Sequence, residues 1–195
     1  LRSRGLGDVY KRQDTSGGKS IVVIEKGEPK SCNIVTSCEG KGKTFIMFSD
    51  DLDKALATFV LANGAAATGQ KVTIFFTFWG LNVIKKLHKP ETEKDIFGKM
   101  FGMMLPSSSK KLKLSKMSMG GIGGKMMRYI MNKKGIDSLE SLRQQALENG
   151  VEFIACQMSM DVMGVKQEEL LDEVTVGGVA TYMERADNAN VNLFI

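Results

Sequence analysis

The stretch TFIMFSDDLDKALATFVLANGAAATGQKVTIFFTFW, residues 44–79, decides the fold. It opens on a continuous apolar run, Thr44 to Ser49, which reads as a buried strand. Asp50 or Asp51 then stands where a helix takes its N-terminal cap. Leu52, Ala55, Leu56, Phe59 and Val60 recur at helical spacing and define one apolar face. Gly69 sits just past that pattern as a C-terminal stop. Lys71 to Trp79 is a second buried strand. Strand, amphipathic helix and strand in succession make a βαβ unit, and strands without a polar face belong to a parallel sheet covered on both sides.

The same alternation runs outward from this unit. Gly80 to Gly135 is helical but broken by Gly and Pro. DSLESLRQQALENG (137–150) is a helix with Asp137 or Ser138 in front and Gly150 behind. VEFIA (151–155) is the third strand, KQEELLDEV (166–174) a short helix running towards Val176, GGVATYMERADNA (177–189) another helix, and VNLFI (191–195) a last strand. Upstream, SIVVIEKG (20–27) reads as a separate strand, followed by a Gly, Pro, Ser and Lys-rich linker over 29–43. With right-handed crossovers few topologies remain. The expectation is an α/β fold: an open parallel five-stranded sheet of flavodoxin-like order 2-1-3-4-5, with helices on both faces. That order makes the first and third strands neighbours at the switch point, where open α/β sheets bind ligands beyond the strands' carboxyl ends.

Composition narrows the function. The formal charge of +5 includes residues 1–13, whose four basic side chains against one acidic contribute +3. This stretch has no apolar period and no signal-peptide core; it resembles translated adapter read-through and is set outside the fold. The remaining charge of about +2, without aromatic-interleaved basic runs, argues against nucleic acid. No segment approaches the roughly 20 apolar residues of a membrane span. Three cysteines argue against a disulfide scaffold and for a reducing, cytoplasmic setting. Cys32 and Cys38 match neither a redox pair nor a zinc pattern. His88, the one histidine, lies in the charged KKLHKPETE, so no metal site is expected.

Chemistry concentrates in VEFIACQMSMDVMGV (151–165), where Cys156 ends the third strand. In the expected order the thiol stands at the mouth of the switch-point site. Ser49 and Asp50 come from the first strand, Trp79 from the second, and Met158, Ser159, Met160 and Asp161 from the turn that follows Cys156. A thiol at this place sits against the next helix's N-terminal end, whose free N–H groups favour the thiolate. A buried cysteine acting as a small hydrophobe is the alternative.

Three motifs in order carry a family resemblance: KTFIMFSDDLDKALATFVLANGAAATGQKVTIFFTFWGL, LKLSKMSMGGIGGKMM and ACQMSMDVMGV. Together they resemble the DsrE/DsrF-like sulfur-relay family over about Lys43 to Ile195, with the domain itself set at 44–195, and most of all a Met-rich branch fused to pyridine nucleotide-disulfide oxidoreductases such as coenzyme A-disulfide reductase homologues. The resemblance implies that Cys156 accepts sulfur as a persulfide and passes it on. It also implies TusA-like or rhodanese-like domains as sulfur partners, and a homo-oligomer. GGKSIVVIEKGE, within residues 14–28, resembles the last strand of a TusA-like domain, without that family's Cys-Pro-x-Pro motif. The chain therefore reads as the C-terminal part of a larger redox or sulfur protein. FAD, NAD(P)H or coenzyme A would belong to the other domains, and no cofactor to this one. A non-catalytic binding or oligomerisation module of a flavin-dependent reductase is the competing reading.

SKMSMGGIGGKMM (115–127) reads as a Met-lined flap with Gly120, Gly121, Gly123 and Gly124 as pliable points. A phosphate cradle using Lys125 is the alternative, but the segment follows no strand and fits neither the Walker nor the dinucleotide pattern. Copper(I) held by thioether and thiolate suits the ligand softness, but only Met100 and Met103 are spaced as a pair.

Overall fold

The computed structural model describes residues 42–87, 106, 108–116 and 121–195, all within the unit Ser37–Ile195. The expectations for residues 1–41, including Cys32 and Cys38, and for His88, Met100, Met103 and Gly120 lie outside the described residues. The chain runs β1 (Gly42–Met47), α1 (Leu52–Ala67), β2 (Val72–Phe76), a 3-10 segment (Phe78–Ile84), α2 (Ile122–Lys133), α3 (Leu139–Glu148), β3 (Glu152–Cys156), α4 (Gln157–Met163), β4 (Thr175–Gly177), α5 (Val179–Asp187) and β5 (Ala189–Phe194). All strand pairings of the five-stranded sheet are parallel, as the alternation of strands and helices requires.

The strand order is β4-β3-β2-β1-β5 and corrects the expected 2-1-3-4-5. β3 pairs with β2, Thr73 to Phe76 lying opposite Glu152 to Ala155, and β1 is flanked by β2 and β5. The reason lies in burial. β2 is buried at all five positions, whereas the expected order would have left it at an edge. The short, partly exposed β4 and the largely exposed β5 take the edges instead. Edge strands that are short or polar also resist pairing with other chains.

This order fixes the layers. Three crossovers step the same way along the sheet, so their helices share one face; the last returns across the sheet and puts α5 on the other. The larger core joins α1, α3 and α4 to Phe45, Met47, Ile74, Phe76, Phe153 and Ala155. Phe59 of α1 sits over Phe153 and Phe76, with ring centroids 5.8 and 6.5 Å away. Leu52, Ala55, Phe59 and Ala62 form the buried face of α1. Val60, expected on that face, is 56% exposed, and Thr58 is buried in the helix, its hydroxyl donating to Lys54 O at 2.9 Å. Among the described residues the smaller core under α5 gathers Phe75, Ile154, Cys156, Tyr182 and Ala186, with the partly buried Ile46 packed against them.

Local corrections have local causes. β1 begins at Gly42, two residues before the expected start, where Gly42 N–H donates to Asn188 O at 2.9 Å. β2 stops at Phe76 because Phe78 takes φ 46° and starts the 3-10 segment. KQEEL forms only a 3-10 turn, Gln167–Glu169, whose Glu169 carboxylate accepts from Lys166 N–H at 3.0 Å. Among the described residues no helix is long and apolar enough to cross a membrane.

Candidate functional site

Cys156 closes β3 and occupies the N-cap position of α4, as the sequence expects. Its side chain takes an unexpected direction. Side chains alternate along a strand, and Cys156 shares the parity of Glu152 and Ile154, which face α5. The thiol packs with Phe75, Ile154, Tyr182 and Ala186 and is 1% exposed. It makes no capping hydrogen bond to α4, and it is not at the mouth of an open site. The expected juxtaposition with β1 also fails, because β2 lies between β1 and β3. The strand order reverses between β1 and β5, which is where the switch point falls.

The other expected residues form separate groups along the same carboxyl edge. Ser49 Oγ donates to Asp51 Oδ2 at 2.7 Å, and Lys54 pairs with that carboxylate at 2.8 Å. Asp50 accepts from Asn82 Nδ2 at 3.0 Å. Burial raises the Asp50 pKa above its ordinary value against the lowering effect of that bond. Asn82 is fully buried, and its Oδ1 has no hydrogen-bond partner among the described residues. Trp79 is 39% exposed. Met158 is exposed, Met160 is buried in the larger core, and Asp161 accepts from Gln157 Nε2 at 3.0 Å on the surface. Ser159 is fully buried and shares a 2.8 Å hydrogen bond with Thr77, tying the first turn of α4 to the end of β2.

Of the glycines expected as pliable points of a flap, Gly123 and Gly124 are buried inside α2. A Cβ on Gly124 would come within 3.1 Å of Leu112 O, so this glycine allows the helix to lie against the preceding segment. Gly121, with φ 97°, breaks the chain direction just before the helix.

Several structural residues escape a reading of the sequence. Gly80 lets the turn after β2 press onto β1: a Cβ there would lie 2.0 Å from Met47 O. Gly177, opposite Cys156 in the β3–β4 ladder, leaves room for Ile154 and Thr181; a Cβ would come within 2.9 Å of Ile154 Cγ2. Tyr182 shares a 3.2 Å hydrogen bond with Thr44 Oγ1, and Thr44 in turn donates to Asn192. Arg185 donates to both carboxylate oxygens of Glu152, at 3.0 and 3.2 Å. This pairing holds the Glu152 carboxyl below its usual pKa. The last pair does leave a signal in the sequence: a Glu two residues from an apolar strand position marks the less covered face. Among the described residues no group of three or more His, Cys, Asp and Glu could hold a metal.

The sequence profile of the DsrE/DsrF/DrsH-like family matches residues 40–194. The uncharacterized protein YrkE of Bacillus subtilis (strain 168) is 44% identical over 155 residues, covering 80% of this chain and 97% of that protein. The sulfur carrier protein DsrE2 of Allochromatium vinosum is 37% identical over 161 residues, covering 80% of this chain and 99% of its own. The crystal structure of the ychN protein from E. coli superposes with a TM-score of 0.47 at 11% identity, over 79% of this chain and 99% of that one. By the extent of the profile match and of these two relatives, the chain belongs to the DsrE/DsrF/DrsH-like family.

Proposed function

We propose that the chain is a sulfur carrier that holds sulfane sulfur on Cys156 as a persulfide and relays it between proteins. The carrying observation is Cys156 at the carboxyl end of β3, at the head of α4, in a chain 37% identical to a protein named a sulfur carrier. In the transfer, the Cys156 thiolate attacks the outer sulfur of a donor persulfide R–S–SH. A Cys156 Sγ–S bond forms, the donor S–S bond breaks, and the R–S⁻ leaving group takes up the proton that Cys156 gave up. An acceptor thiolate then attacks the outer sulfur and Cys156 leaves as thiolate. The exchange is redox-neutral and uses no cofactor. TusA-like and rhodanese-like domains are the partners this reading names, in a cytoplasm that keeps thiols reduced. It includes a homo-oligomer as the working form and a place within a larger redox or sulfur protein.

Mass spectrometry after incubation with a persulfide donor tests the reading. Wild type gains one sulfur atom on Cys156, and Cys156→Ser gains none while keeping its circular dichroism spectrum. Equal uptake by both proteins, with the added sulfur on Cys32 or Cys38, would falsify it. The burial of Cys156 favours a second reading, a non-catalytic binding or oligomerisation module of a flavin-dependent reductase. Under that reading Cys156 takes no sulfur from any donor.

A further inference from the structure

We infer that α5 is a latched lid over Cys156, and that access to the thiol is governed by local opening of this helix. The inference rests on the sulfur-carrier reading for its purpose but on geometry for its content. A thiol 1% exposed cannot meet the outer sulfur of a donor held by another protein. Some element must move, and the structure offers one that is lightly held.

Among the described residues α5 is the helix covering the sheet face that Cys156 points to. It buries only Tyr182 and Ala186 of its nine residues. The opposite face is held by a much larger core reaching α1, α3 and α4, so α4 is poorly placed to swing: Met160 and Met163 are buried there and Ser159 is bonded to Thr77. Elements with few buried contacts open at lower free energy than the core, and lids are drawn from them.

The chain on either side of α5 suits such a motion. Gly177 and Gly178 enter the helix immediately beside Cys156, and a Cβ added at Gly178 would meet nothing within 4 Å. The far end carries the fastenings. Arg185 grips Glu152, which belongs to the same strand as Cys156. Because the hydroxyl of Thr44 donates to Asn192, Tyr182 O–H donates to Thr44. Asn192 Nδ2 donates to Ala186 O at 3.3 Å. Of these fastenings, the Arg185 pair and the two bonds of Asn192 sit at part-buried positions, where they can be exchanged for water or for a partner's groups. The outer surface of α5 shows Val179 and Met183, both about half exposed, to an arriving protein.

The test uses the full chain with Cys32→Ser and Cys38→Ser, leaving one thiol, and follows iodoacetamide labelling by mass spectrometry near neutral pH. A lid predicts labelling at least about tenfold slower in the native protein than in the same chain unfolded in urea, because only the open fraction reacts. Glu152→Gln and Arg185→Ala should each speed native labelling by about threefold or more, and added salt should speed the wild type but not Arg185→Ala. Lys86→Ala, which breaks an exposed pair with Asp172, should leave the rate unchanged. Phe59→Ala separates local from global opening, since it weakens the opposite core. If it accelerates labelling as much as the latch variants do, or if native and unfolded rates agree within about twofold, the lid is wrong. Sulfur loading separates this inference from the function. Latch variants that label fast yet load no persulfide leave the lid standing and remove the carrier; persulfide loading with no effect of the latch variants does the reverse.

Discussion

Burial makes Asp50 a residue whose charge works against the fold. Its pKa is raised, chiefly by desolvation, with Asn82 opposing and Asp51 adding to the shift. A folded pKa above the unfolded one gives a contribution fully present below about 3.8 and lost as pH rises through the folded value. Asp50→Asn keeps an acceptor for Asn82 and removes the buried charge, so it should stabilise the protein at neutral pH. The gain should shrink to nothing in acid, and urea melts across pH 3 to 7 check it; a gain that persists in acid would place the effect elsewhere. Glu152 has the opposite sign: Arg185 lowers its pKa first of all, so its contribution is present above about 4.5 and fades as pH falls through the folded value. Gly80 carries a steric demand instead. Replacing it with Ala sets a Cβ 2.0 Å from a backbone oxygen of β1, which only a shift of the turn can relieve. Gly80→Ala should cost at least about 3 kcal/mol or prevent folding, seen as loss of the cooperative melt.

At the scale of elements, the packing of α1 on the sheet carries the larger core, and Phe59 is its anchor against Phe76 and Phe153. Phe59→Ala should cost about 3–5 kcal/mol, a large share of the 5–15 kcal/mol that holds a typical domain, with the denaturation midpoint as the measurement. The Ser138 hydroxyl accepts from Ser141 N–H at 3.1 Å at the start of α3, and Ser138→Ala should cost about 1 kcal/mol. These elements are legible in the sequence because each is written locally: an apolar period of 3.6, a cap, a glycine stop. The parallel sheet is legible for the same reason, through strands apolar on both faces. Strand order is not, because pairing depends on which strand can tolerate an edge, and the apolar run of β2 announces a strand without saying where it must sit. With the order goes the site. The sequence puts Cys156 at the end of β3, but which sheet face receives α5 follows from the order, and that decides whether the thiol is open or covered. The glycines of α2 mislead for a related reason. Gly124 serves close packing against Leu112 and Lys113 rather than mobility, Gly123 is buried in the same helical turn, and a sequence does not distinguish the two uses.

For the whole molecule, charge and apolar surface are concentrated together. Residues 106–136 hold eight basic side chains and no acidic one, while the entire chain carries only +5. Within this region α2 exposes Ile122, Met126, Tyr129 and Ile130, spaced to form one stripe along the helix. Arg128 is turned inward to Glu140 and to Ser109 O, but the lysines at 125, 133 and 134 stay exposed. An apolar stripe of this kind favours association, whereas lysines meeting their own copies across a two-fold contact oppose it. The homo-oligomer of the proposed function, if built on this stripe, should therefore tighten as salt screens the lysines, opposite to the salt response of an interface held by ion pairs. Light scattering at micromolar concentration should show the oligomer gaining mass from low to moderate salt. Met126→Glu with Tyr129→Glu should yield a monomer that keeps its circular dichroism spectrum, since both side chains are exposed. A wild type that stays monomeric at every salt concentration would exclude the oligomer. An oligomer that survives the double substitution would move its interface away from α2, to the apolar surface left by Val179, Met183 and Phe194 on the thinly covered side of the sheet.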